Sequence, residues 1–286
     1  MIARRSSQNT LYAMFIALIL LLSACQQAPL ATPSQPAAAP ESLVTQPPAE
    51  PTAEPEIIAT ETPDTPSNES PAGINLDYSA VAQNVNIETI PAKPASADSP
   101  YWEAGPEYRL LTLQDYPVSE HLHKPQIFVY PVSDLAEANE NAGKLAADLQ
   151  VLLETQEVGD HLPFLPLFNA QQVMHAQVQF LDFKSGKGVR FLTQFDQAPL
   201  PINNNELFYT FQGLTSDGKY YIAAVLPVTN PELPAGPEVS EQQAEVLDDF
   251  PTYISDMVTL LNQQPAGSFT PDLNKLDELI RSIEIN

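Results

Sequence analysis

Four histidines, one cysteine and 36 acidic residues are the groups with which this 286-residue chain could do chemistry. His121 and His123 lie two apart, and in an extended segment that spacing puts both imidazoles on one side, as a metal pair requires. No third ligand follows at metal spacing, so the pair reads as a polar loop ahead of Pro125. His161 precedes a Leu-Pro-Phe-Leu-Pro loop, and His175 alternates with Gln177 and Gln179 on a polar strand face. Both read as surface histidines. Lys184-Ser185-Gly186-Lys187-Gly188 has the composition of a phosphate loop without its spacing, and reads as a turn. Asn203, Asn204, Asn205 and Glu206 lead into Leu207-Phe208-Tyr209, setting amides and a carboxylate beside aromatic rings. That mixture suits a sugar or small polar ligand, and it equally suits a turn that asparagine tolerates. These four residues are the ligand-binding candidates. Acidic residues are so abundant that no carboxylate pair stands out as catalytic. No serine-nucleophile elbow, zincin helix or calcium loop is present either, so no catalytic residue, metal or cofactor is expected.

Cys25 is the single cysteine and therefore cannot close an internal disulfide. It ends an apolar run from Leu11 to Leu22 that follows Arg4 and Arg5: a charged region, a hydrophobic region and small residues, the layout of a secretory signal. About a dozen apolar residues are too few for a permanent span, which needs about 20. Leu22-Ser23-Ala24-Cys25 resembles the bacterial lipobox. The resemblance implies cleavage before Cys25, a thioether-linked diacylglycerol on its sulfur and an N-acyl chain on its new terminus. Two or three acyl chains at about 0.8 kcal/mol per buried methylene anchor a protein stably. Ser6-Ser7-Gln8 lacks the apolar residues of twin-arginine signals, so general secretion is the expected route. Gln26 and Gln27 carry no mark of inner-membrane retention, which leaves the cell membrane and the outer membrane both open.

The elements beyond the anchor divide into a tether and a domain. Residues 25–75 are rich in Pro, Ala and Glu, without Lys or Arg, and cannot bury enough apolar surface to offset the entropy of ordering. They predict a disordered tether between a signal peptide at 1–24 and a globular domain at 76–286. In that domain Glu107–Gln114 and Gln126–Val132 read as strands, and Ser133 caps a helix over residues 133–156. A strand carrying Met174, Ala176, Val178 and Phe180 on one face turns at residues 184–188, and a second hairpin turns at Asp217-Gly218. Tyr220 and Tyr221 fall on opposite faces, which exposes at least one of them. Ser240 and Gln243 form a capping box, and Pro251 breaks or kinks the run that follows. Thr270-Pro271 supply N-cap and first turn for a last helix that buries Leu273, Leu276, Leu279, Ile280 and Ile283.

This order predicts an α+β domain with a single antiparallel sheet of about six strands flanked by helices. It resembles the PsbP-like fold, in which such a sheet ends with a long C-terminal helix. The stretch PINNNELFYTFQGLTSDGKYYIAAVLPV, residues 201–228, also resembles a segment of uncharacterised bacterial lipoproteins with a similar anchor and tether. The formal charge of −24 excludes nucleic acid as a partner, because phosphate binding needs a basic surface. The expectation is an extracytoplasmic, lipid-anchored protein whose domain is monomeric and binds an envelope protein or glycan, or assembles with envelope components. The alternatives are an envelope hydrolase acting on glycans or peptides through carboxylates, and a small-molecule-binding lipoprotein.

Overall fold

The computed structural model describes residues 73–238 and 248–286, so the lipobox, the tether and the Ser240/Gln243 box lie outside the described residues. The strands are β1 (Ile74–Asn75), β2 (Asn84–Ile90), β3 (Tyr108–Gln114), β4 (Gln126–Pro131), β5 (Gln171–Phe183), β6 (Gly186–Asp196), β7 (Phe208–Thr215), β8 (Tyr220–Pro227) and β9 (Glu284–Ile285). The helices are α1 (Val132–Ala138), α2 (Glu140–Thr155), α3 (Phe250–Gln263) and α4 (Leu273–Ser282). Strands β2 to β8 form one antiparallel sheet of seven strands in the order β2-β3-β4-β8-β7-β6-β5. The short β1 and β9 pair separately, Ile74 with Ile285 and Asn75 with Glu284.

Seven strands replace the expected six because β2 is an edge strand whose exposed residues hide its period. Asn84, Asn86 and Glu88 face solvent while Val85, Ile87 and Ile90 are half-buried. Both faces of the sheet are covered. Leu135, Ala142, Leu149 and Leu153 of α1 and α2 pack with Phe128, Phe191 and Tyr221 on one face. Leu273, Leu276, Leu279 and Ile280 of α4, with Ile283 just beyond it, pack with Leu192, Tyr209 and Ile222 on the other, as their spacing predicts. Each face of β6 to β8 is therefore apolar, the pattern of a sheet buried on both sides. Tyr221 is fully buried and Tyr220 only partly so.

Three local expectations are corrected, two of them by side chains that bond to backbone. The helix expected over 133–156 is divided at Asn139, whose extended backbone ends α1 and whose Oδ1 accepts from the N–H groups of Asn141 and Ala142 to cap α2. Helix α3 starts at Phe250, so Pro251 lies in its first turn rather than breaking it. Helix α4 starts at Leu273 with Asp272 as its N-cap, accepting from Asn274 N–H, rather than at Thr270-Pro271. The first hairpin turns tightly at Lys184-Ser185. Beyond it Gly188 of β6 and Gly213 of β7 are cross-strand partners, and the Phe211 ring lies where a Cβ of either would sit.

The largest correction is in β5. Its register slips between Ala176 and Gln179, and Gln177 takes a left-handed backbone at φ 54°. A bulge of this kind moves the following side chains to the other face. Met174 and Ala176 face α4, whereas Val178 and Phe180 pack on the α2 side. The bulge is fixed by Arg190, which is only 5% exposed and whose guanidinium donates to the Gln177 carbonyl and, at 2.8 Å, to Gln179 Oε1. Asp277 of α4, 3% exposed, places Oδ1 at 3.3 Å from Arg190 Nε and accepts from the Tyr209 hydroxyl at 2.9 Å. Gln177 then donates to the Leu261 and Gln264 carbonyls at the end of α3.

Removing one partner of this buried pair strands the other charge. Asp277→Ala is expected to cost about 3–5 kcal/mol, read as a lower midpoint in urea unfolding followed by circular dichroism. The double variant Arg190→Met, Asp277→Leu, which removes both charges, is expected to lose less than either single change.

Candidate functional site

Two sets of sequence-selected residues, about eighty positions apart, meet at one end of the sheet. The β3–β4 loop carries His121 and His123, and the β6–β7 loop carries Asn203 to Glu206. Leu122 N–H donates to the Asn205 carbonyl at 2.8 Å, and His121 Nε2 donates to the Leu207 carbonyl at 2.9 Å. His121 Nδ1 accepts from His123 N–H at 3.0 Å, which fixes the neutral tautomer with its proton on Nε2. Burial lowers the pKa of His121 and takes His123 to about 4, with His121 close by adding to the effect. The His123 ring stacks on Phe168 at 5.1 Å and meets Phe208 edge-on at 4.8 Å. Phe164 and Phe195 complete an aromatic cluster, beside which Leu122 is 62% exposed.

The amides at this end bond within the protein. Asn203 is fully buried, and its Nδ2 donates to the Pro201 carbonyl and to Glu206 Oε2. Its Oδ1 accepts from Asn205 N–H. Asn204 donates to the Asn230 and Leu233 carbonyls and accepts from Asn230 N–H, pinning the loop that follows β8. Gln194 Nε2 donates to Asp196 Oδ2 at 2.8 Å, to the Pro201 carbonyl at 3.1 Å and to Glu206 Oε2 at 3.2 Å. One amide nitrogen thus bridges two carboxylates. Burial lifts the Asp196 pKa to about 6, with Gln194 opposing and Glu206 adding to the rise. Gln194 carries no sequence signal beyond its residue type, and the fold brings it between Asp196 and Glu206.

Of the remaining histidines, His175 lies on β5 and His161 in the loop that precedes it. His175 leaves Nδ1 buried without a hydrogen-bond partner, and burial lowers its pKa, with His161 adding and Asp160 opposing. Among the described residues no group of three or more His, Cys, Asp or Glu is placed to hold a metal ion.

A second feature, at the opposite end of the sheet, involves none of these residues. A groove of about 820 Å³ runs between α2 and the β5–β6 and β7–β8 turns. Gly143, Ala146, Ala147, Gln150 and Glu154 face it along one stripe of α2, about 16 Å of helix at 1.5 Å per residue. At its α2 C-terminal end stand Glu154 and, from the hairpin, Asp182, Lys184 and Lys187. Lys187 Nζ donates to the Leu153 carbonyl at 3.2 Å, a cation placed at the negative end of the helix. The other half is formed by Val132, Ala136 and small residues of α2, with Thr215 and Ser216 alongside. The groove is left open by the small side chains of Ala146 and Ala147, residue types that a search for reactive side chains passes over, while Gly143 lets Ala136 of α1 lie where its Cβ would be.

No family model matches the chain, and neither a curated protein nor a solved structure is detectably similar to it.

The Asp196 pair makes stability depend on pH. The unfolded carboxyl titrates at 3.8 and the folded one at about 6, so in between the folded state holds more protons and stability falls as pH rises. The loss between pH 4 and 6 is at most about 3 kcal/mol, and smaller where solvent screens the pair. Asp196→Asn is expected to flatten this segment of a melting-temperature profile and to raise the melting temperature at pH 7. A profile unchanged by the substitution removes Asp196 as its source.

Proposed function

We propose that the chain is an extracytoplasmic lipoprotein, held at a membrane by lipid on Cys25, whose α+β domain binds its partner in the groove along α2. The carrying observation is the groove itself, whose volume lies in the range of ligand sites and whose lining combines an apolar half with a charged end. The lipobox Leu22-Ser23-Ala24-Cys25 supports the anchor, and the acidic Pro-rich segment after it supports a spacer that keeps the domain clear of the lipid surface. A helix-flanked antiparallel sheet with α4 near its end supports the PsbP-like resemblance. The partner is an envelope protein or a glycan, bound without turnover.

The envelope-hydrolase reading draws on one observation. Asp196 holds its proton to about pH 6 beside Glu206, as a general acid must. An Asp196→Asn variant that leaves the binding of sugars and peptides intact while abolishing their hydrolysis would establish it.

The anchor and the groove are tested separately. Mass spectrometry of the full chain expressed in a bacterium is expected to find a mature terminus at Cys25 carrying diacylglycerol, and Cys25→Ser to abolish that species; an unmodified thiol overturns the anchor. For the groove, a thermal-shift screen of the full chain against peptides and glycans is expected to give ligands that stabilise the wild type. Ala147→Trp, which fills the groove from an exposed helix position, is expected to reduce their affinity at least tenfold. Unchanged affinity in that variant moves the site elsewhere.

A further inference from the structure

The two edges of the sheet are built differently. Edge strands are ordinarily protected by bulges, charges, proline or a covering element, because their free N–H and C=O groups template pairing with another chain. Strand β5 has such protection. It is bulged twice, and Gln177 N–H at its outer edge is taken by Asn262 Oδ1 of α3 at 2.6 Å. Strand β2 contains no proline or lysine, and its register with β3 is unbroken from Asn84–Gln114 to Ile90–Tyr108.

The direction of its free groups follows from β3. Leu113 N–H donates to the Pro125 carbonyl, so odd-numbered residues of β3 bond toward β4 and even-numbered ones toward β2. Thr112 and Leu110 therefore exchange bonds with Asn86 and Glu88. The alternate residues Val85, Ile87 and Thr89 present their backbone groups outward. Among the described residues Val85 N–H is met by its neighbour's side chain, Asn84 Oδ1, at 2.8 Å.

We infer that the β2 edge pairs antiparallel with the β2 edge of a second copy, about a two-fold axis through Ile87, in place of the monomer expected from the sequence. The strand is self-complementary in that register. Ile87 faces Ile87 of the other copy and Val85 faces Thr89, β-branched pairs that sheets favour. Glu88, the strand's sole charge, falls opposite Asn86, so an amide meets a carboxylate and no like charges are opposed. The pairing adds about six main-chain hydrogen bonds and continues the seven-stranded sheet across the axis, an isologous contact that closes at two copies. Because the chain carries a formal charge of −24, mutual repulsion opposes association, and added salt tightens it.

Sedimentation equilibrium of the full chain in density-matched detergent tests this. The wild type is expected to dimerise reversibly and more tightly at higher salt. Asn86→Lys, facing Glu88 of the other copy, is expected to tighten dissociation about threefold to tenfold, and Asn86→Glu to weaken it by a similar factor. In a Glu88→Gln background the two Asn86 variants are expected to differ far less, which separates the register from bulk charge. Thr89→Pro removes an outward N–H, leaves the β3 ladder intact and is expected to give a monomer with an unchanged circular dichroism spectrum. A wild type that stays monomeric up to about 0.5 mM, or a dimer indifferent to Thr89→Pro, overturns the inference.

Discussion

The fold depends on one buried charge. Arg190 stands in the middle of β6, on the face that packs against α4, where a guanidinium without partners costs several kcal/mol. Its position is tolerable because it is met from two elements, by the Asp277 carboxylate of α4 and by the Gln177 carbonyl and Gln179 amide oxygen of β5, although Nε, 3.3 Å from Asp277 Oδ1, makes no hydrogen bond. Asp277 has a second partner in Tyr209, and burial still holds its carboxyl above the ordinary carboxylate pKa despite the guanidinium beside it. Meeting the guanidinium brings the Gln177 carbonyl inward, which bulges β5. The bulge frees the Gln177 side chain to reach the last carbonyls of α3. One ion pair thus sets the seat of α4, the faces of β5 and the end of α3.

That chain of dependence explains what the sequence could convey. Leu273, Leu276, Leu279, Ile280 and Ile283 are spaced by the helix itself, a local property, and all five are buried against the sheet. The alternation from Met174 to Phe180 looked equally regular, but its continuity was decided by Arg190, a residue on another strand whose pull leaves no trace in the local pattern. Asn139 is a similar case. Within a helical stretch it reads as a mild misfit, and only the carbonyls of Tyr101 and Ala104, which accept from its amide, reveal why the helix breaks there.

At the loop end of the sheet, composition located a real convergence and left its purpose open. Asn203 and Asn204 have the polar density of a binding loop, and nearly all of it is spent holding the loops after β6 and β8 together. Amides serve there because several carbonyls and two carboxylates crowd together, and amide N–H groups satisfy them without adding charge. The groove on the other end was illegible for the opposite reason. Its shape comes from missing side-chain volume at Ala146 and Ala147, and small residues in a helix carry no chemical flag.

Covering both sheet faces confines where another molecule can bind. Helices α1 and α2 close one face of the seven strands and α3 and α4 the other, so the described core presents its polar backbone only at strand ends and at the two edges. Of the strand ends, the loop end uses its hydrogen-bonding capacity internally, whereas the turn end is left open by the small residues of α2. Of the edges, β5 is closed by its bulge and by α3, and the closure traces back to Arg190. Stabilising the C-terminal helices therefore also protects one edge, and β2, which lies at the far side of the sheet from that network, receives no such protection. The same buried pair that fixes the interior thereby also closes the β5 rim of the sheet.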